Sequence, residues 1–314
     1  MASRTRKRRA PKKHAAQTPR QHARALRGPQ PWFVWAAVAL VAVGAIVAAV
    51  VGRSGSNKNG MAAPGRGLPN TPDYHSLSVD PTNANGILLG THSGLYRSTD
   101  GGKTWAFQAL SGRDAMNLAR PRGQVLWTAG HYVLAKSADG GRTWVDVRPT
   151  GLPTLDVHGF AVDPRRSSTL YAAVAGRGLY RSRDNGVSFT PVSSQVGGAV
   201  MALVVTPAGD VLAGDMQRGL LVSRDGGKTW RRVLAAQLMG LALNPRDPKR
   251  VLAAGPGILL SIDGGRRWRQ PLKNAQGAGP VAWSPSNPKV AYVVGFDRTL
   301  YRSRDGGATW SAVG

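Results

Sequence analysis

One octapeptide occurs six times in this chain, and that repetition leaves few folds open. The copies are STDGGKTW (98–105), SADGGRTW (137–144), SRDNGVSF (182–189), SRDGGKTW (223–230), SIDGGRRW (261–268) and SRDGGATW (303–310). Their aspartates, Asp100, Asp139, Asp184, Asp225, Asp263 and Asp305, lie 39, 45, 41, 38 and 42 residues apart. A catalytic loop occurs once in a domain, whereas an evenly spaced series is an architectural unit.

The chemistry of the box is that of a tight hairpin. The aspartate carboxylate and serine hydroxyl accept backbone N–H bonds from residues just ahead, and glycine supplies positive φ. The closing aromatic (Trp105, Trp144, Phe189, Trp230, Trp268, Trp310) starts the next strand and fills space between units. Calcium would require further carboxylates downstream, and no repeated carboxylate follows the boxes.

Two other markers recur in phase. About twenty residues before each box an apolar strand ends in a proline turn (LSVDP, NLARP, FAVDP, LVVTP, LALNP, VAWSP), and a second apolar run follows it. A third run leads into the box and a fourth leaves it, with no helical period anywhere. Four short strands per repeat, six times, predict an all-β six-bladed β-propeller over residues 73–314. Forty glycines and 21 prolines suit so many turns. How the ring closes is left open by the sequence.

The part before the repeats divides in three. Residues 1–31 hold ten Lys/Arg and no acid, a basic, disordered tail. Residues 32–51, WFVWAAVALVAVGAIVAAVV, are uncharged and at helical rise span about 30 Å, a bilayer's hydrocarbon thickness. A cleaved signal peptide has a shorter apolar core and a small-residue cleavage site, so a single transmembrane helix is expected, preceding the propeller. The basic side stays cytoplasmic and the propeller is exported. Residues 52–72 read as a flexible linker. Without its tail the chain still carries 32 basic against 16 acidic residues, a net +16. That favours an anionic or protein partner outside the cytoplasm; nothing points to specific nucleic-acid binding.

The boxes resemble the Asp-box, or bacterial neuraminidase, repeat Ser-x-Asp-x-Gly-x-Thr-Trp, across all six units. Proteins of this family include sialidases, xyloglucanase-type glycoside hydrolases, the sortilin luminal domain and photosystem II assembly factors. The texture GLYRSTDGGKTW is similar to bacterial membrane-anchored members labelled glycosyl hydrolase-like or assembly-factor-like. The resemblance implies boxes on the face opposite any catalytic centre, so the boxes identify the fold and leave function to other loops. A sialidase-like site would need a glutamate beside its tyrosine nucleophile, and all 16 acidic residues here are aspartates. A xyloglucanase-like site uses two aspartates but sits between two propellers, and this chain supplies one.

Alternating strand direction puts boxes and proline turns on a lower face. The second-to-third-strand turns and blade links form an upper one. The upper set contains Asp114, Tyr132 and Asp156, the ligand-binding candidates His75, His92, His131, His158, Arg177, Arg218 and Arg298, and the catalytic candidates Asp215 and Asp297 for a paired-aspartate glycoside hydrolase. A site is expected at the axial mouth. The histidines share no H-x-H or H-x₃-H spacing, so no metal is expected, and no cofactor. The absence of cysteine removes thiolate sites and disulfides. The expectation is thus a membrane-anchored binding or assembly scaffold, with a glycoside hydrolase as the alternative.

Overall fold

The computed structural model describes residues 65–314. The expected anchor at 32–51, the basic tail at 1–31 and most of the linker lie outside them. Among the described residues no helix is long and apolar enough to cross a membrane.

Each repeat builds one antiparallel sheet with its strands in chain order, giving six blades. Blade 1 is β2 (Ser76–Val79), β3 (Ile87–Thr91), β4 (Gly94–Ser98) and β5 (Thr104–Ala109). Blade 2 runs from Asn117 to Asp146, blade 3 from Val157 to Ser193, blade 4 from Val200 to Leu234, blade 5 from Gly240 to Lys273 and blade 6 from Ala278 to Ala312. In every blade the second strand is buried at all five positions. Those strands are flanked on both sides by neighbouring blades, so their alternating side chains feed two interfaces. Leu88 packs toward blade 2, while Ile87 and Leu89 pack toward blade 6.

Six apolar clusters result, one at each blade interface. The sixth answers the closure question. Tyr292 and Val294 of blade 6 pack against Leu77 and Ile87 of blade 1, and Tyr292 Oη donates to Ala84 O at 2.9 Å. Among the described residues no strand is exchanged between terminal repeats, and packing closes the ring. The propeller also begins earlier than residue 73. Strand β1 (Gly65–Arg66) pairs with Thr104–Trp105 as a fifth strand on blade 1. Arg298 of blade 6 donates to Thr71 O at 3.1 Å. Residues 65–72 are therefore held in the ring rather than forming tether.

The boxes are turns. In the fourth, Ser223 Oγ donates to Asp225 Oδ1 at 2.7 Å and accepts Gly227 N–H at 2.8 Å. Asp225 Oδ1 also accepts the amides of Lys228 and Thr229, and its Oδ2 the Thr229 hydroxyl at 2.6 Å. The hydroxyl bond to Oδ2 recurs at Asp100, Asp139, Asp184 and Asp305, and at Asp263, where Arg267 replaces the hydroxyl residue, the Arg267 amide bond to Oδ1 remains. Each box aromatic enters the interface with the preceding blade: Trp105 between blades 6 and 1, Trp144 between 1 and 2, Phe189 between 2 and 3, Trp230, Trp268 and Trp310 onward. Gly101 N–H donates to Asn85 O at 2.9 Å, which ties box and proline turn together on one face.

Candidate functional site

The axis itself is narrow. An axial cavity of ≈ 80 Å³ is lined by first-strand residues of all six blades, and Met116, Met201 and Met239 gather at its upper end with His75. That volume holds a few waters, not a sugar ring, so the expected pocket at the axial mouth is not where this ring offers space.

The polar residues of the upper face instead form a row across blades 1 to 3. Asp73, on the strand-entry link, accepts the His92 amide at 3.0 Å through Oδ1, and its Oδ2 meets His92 Nδ1 at 2.5 Å. The next blade repeats the arrangement: Asp114 Oδ2 accepts the His131 amide at 2.8 Å and meets His131 Nδ1 at 2.7 Å. Gly130 is required beside it, because a Cβ there would lie 2.6 Å from Asp114 Oδ2. His75 Nε2 contacts His92 Nδ1 at 3.2 Å. At the other end, Asp156 Oδ1 is 3.6 Å from His131 Nε2 and 3.2 Å from His158 Nε2. Ring centroids step along the row at 4.1, 5.3 and 5.2 Å.

The electrostatics of its two ends differ from those of its middle. Burial pushes His75 down to about 4 and also lowers His158. The hydrogen bond to Asp73 raises His92, and that to Asp114 raises His131. Burial opposes ionisation of Asp73, but the bonds from His92 prevail and hold its carboxyl below the usual range.

The four histidines that linear spacing kept apart are thus brought into one row. A signal was present: Asp-x-His at 73–75 and 156–158, and Asp-x-Met at 114–116, stand in phase on the blade links. The other candidates are placed differently. Asp215, 2% exposed, accepts the Gln217 and Arg218 amides and the Arg218 guanidinium at 2.9 Å. Asp297 accepts the Thr299 amide and the Tyr301 hydroxyl at 2.7 Å. A glycosidase needs two carboxylates facing one bond; these serve separate turns two blades apart. Arg218 also donates to Gln195 O and Arg298 to Thr71 O, while Arg177 lies exposed on the blade 3 turn.

A second feature lies on the lower face, where a cleft of about 890 Å³ opens between blades 4 and 5. A basic side chain that straps other blade interfaces is missing from it. At the fourth residue of GLYRS, Arg97 donates to Gly140 O in the next box at 2.6 Å, and Lys136 reaches Asn185 Oδ1 at 3.4 Å. In blade 5 the strap, to Gly306 O at 3.0 Å, comes instead from Arg250 just before the second strand, and Leu260 holds the GLYRS position. Blade 4 has Val222 there, and a Cβ on Gly264 would meet nothing within 4 Å. The gap has an apolar floor (Leu220, Val222, Val251), an exposed Ile262, and Arg224, Arg231, Arg232, Lys249 and Arg266 around it, against two acids, Asp210 and Asp263.

Fold and boxes together define an Asp-box β-propeller. More particularly, the chain belongs to the family described as Photosynthesis system II assembly factor YCF48, whose sequence model matches residues 73–313. No curated protein matches the sequence. Among solved structures the chain is similar to YCF48 bound to D1 peptide (20% identity, 82% of this chain and 85% of that one, TM-score 0.51). It is also similar to YCF48 from Cyanidioschyzon merolae (17%, 80% and 88%, TM-score 0.50). A third is the GH74 xyloglucanase from Xanthomonas campestris (19%, TM-score 0.58), where 81% of this chain covers 46% of the enzyme. At these identities the likeness is one of fold.

Proposed function

We propose that this propeller is a binding scaffold that holds an acidic segment of a partner protein in the cleft between blades 4 and 5. The observation that carries this is the cleft itself: five cations around an apolar floor that includes Val222. An extended acidic chain with apolar side chains complements both features. A structure of a family member holding a peptide supports the reading. The apolar stretch 32–51 anchors the scaffold to a membrane, with the basic tail cytoplasmic and the propeller on the other side.

The test uses the full chain in detergent and a fluorescent peptide of alternating Asp and Leu. Binding is expected to weaken with salt and to fall by at least roughly tenfold, about 1.4 kcal/mol, in Arg231→Glu/Arg232→Glu. Arg177→Glu on the upper face should leave it unchanged. Equal binding in both variants would overturn the cleft assignment. Release of the chain from membranes by alkaline extraction would overturn the anchor.

A further inference from the structure

We infer that His131 Nε2, Asp156 Oδ1 and His158 Nε2 form a binding site for a divalent transition-metal ion of the zinc class. Three candidate sets lie along the row, and they differ in how their atoms are satisfied. In the set Asp73, His75 and His92 the ring nitrogens and carboxylate hydrogen-bond one another. In the set His92, Asp114 and His131, Asp114 Oδ2 already accepts the His131 amide and meets its ring, and a single buried atom, Asp114 Oδ1, is left without a partner. In the third set, Asp156 Oδ1 and both ring nitrogens of His158 are buried without any hydrogen-bond partner. Buried polar atoms without partners are costly, and here an oxygen and two imidazole nitrogens converge at 3.2 and 3.6 Å. Ligands about 2.0–2.2 Å from a tetrahedral ion lie about 3.3–3.6 Å from one another.

The surroundings are built for the same purpose. His131 presents Nε2 because its Nδ1 is engaged by Asp114 Oδ2 at 2.7 Å, the carboxylate–histidine pairing that fixes tautomer and ring orientation beside metals. Asp114 is itself 6% exposed. His158 occupies a β-bulge, where pairing slips between Val157 and Gly159, a device that re-aims a side chain. Buried Asn117 of blade 2 clasps that bulge, donating to His158 O at 3.2 Å and accepting Phe160 N–H at 3.1 Å. Three protein ligands leave the fourth position to water or an incoming group. The site is on the opposite face from the cleft and stands independently of the peptide-binding reading.

The experiment titrates the full chain in detergent with Co²⁺ alone, then Zn²⁺ as competitor. The expected result is one Co²⁺ per chain with the intense visible bands of four-coordinate Co(II), displaced by Zn²⁺. His131→Ala and His158→Ala should abolish the bands. Asp114→Asn, a positioning change, should weaken affinity about 10–100-fold, and His75→Gln should leave it within twofold. Near-UV circular dichroism confirms folding of each variant; Asp156→Asn and His158→Gln give the same readout should an alanine variant not fold. Absence of four-coordinate bands in the wild type, their persistence in folded His158→Gln and Asp156→Asn, or their loss in His75→Gln would overturn the assignment.

Discussion

Arg97 of blade 1 donates its Nη2 to the carbonyl of Gly140 in the box of blade 2 at 2.6 Å, so a strand residue of one blade clamps the hairpin of the next. Arg97→Met removes a charge-assisted bond while keeping the stem, and should cost about 1–2 kcal/mol in urea unfolding. Val222→Arg is the converse change. It introduces a strap at the interface between blades 4 and 5, narrows the cleft, and should weaken acidic-peptide capture roughly tenfold without loss of stability.

The boxes set the acid limit of the fold. Hydrogen bonds from the hydroxyl four residues on and from nearby amides hold the carboxyls of Asp184 and Asp305 at about 2, below the usual value near 3.9. A depressed folded-state pKa contributes stability that is complete above the unfolded value and disappears as pH falls through the folded one. The boxes' contribution to the midpoint temperature should therefore be complete above about pH 4 and be lost steeply from there toward pH 2. Asp184→Asn should lower it at neutral pH and shallow the acid slope. An unchanged slope in scanning calorimetry would count against this role.

Ser223 is the buried half of the same device. It accepts the Gly227 amide inside a hairpin closed to water. Ser223→Ala strands that N–H and should cost about 1–3 kcal/mol, whereas Ser223→Thr, which keeps the hydroxyl, should recover part of it. Equal stability of all three proteins in guanidinium titration would contradict the account.

Repetition made most of the ring legible. The boxes, proline turns and four-strand rhythm identify six blades, and strand alternation assigns the faces, because these depend on contacts within one repeat. What joins repeats was harder to read. The approach of His131 to Asp156 and His158 arises across a blade boundary, so ligand spacing along the chain could not display it; only the phase of Asp-x-His on the links carried a trace. The cleft lies beside Val222, but the aligned GLYRS-like segments do not single it out, because Leu260 holds the same place in blade 5, where Arg250 supplies the strap from another position. Closure by Tyr292 and the anchoring of Thr71 depend on partners more than 200 positions away.

Two equivalent glycines test how differently the interfaces are packed. Gly102 and Gly265 hold the same place in boxes one and five, with φ of 95° and 86°, so a side chain strains the backbone by about 1–2 kcal/mol at either. Their surroundings differ. A Cβ on Gly102 would fall 2.0 Å from Leu300 Cδ2 at the closing interface, while one on Gly265 meets nothing nearer than Trp268 at 3.6 Å. Gly265→Ala should show the backbone cost alone. Gly102→Ala adds overpacking of about 1–3 kcal/mol against a buried leucine at the contact that closes the ring. Equilibrium denaturation should separate the two by at least that added amount, and equal losses would mean that the interface between blades 4 and 5 is as tightly packed as the one that closes the ring.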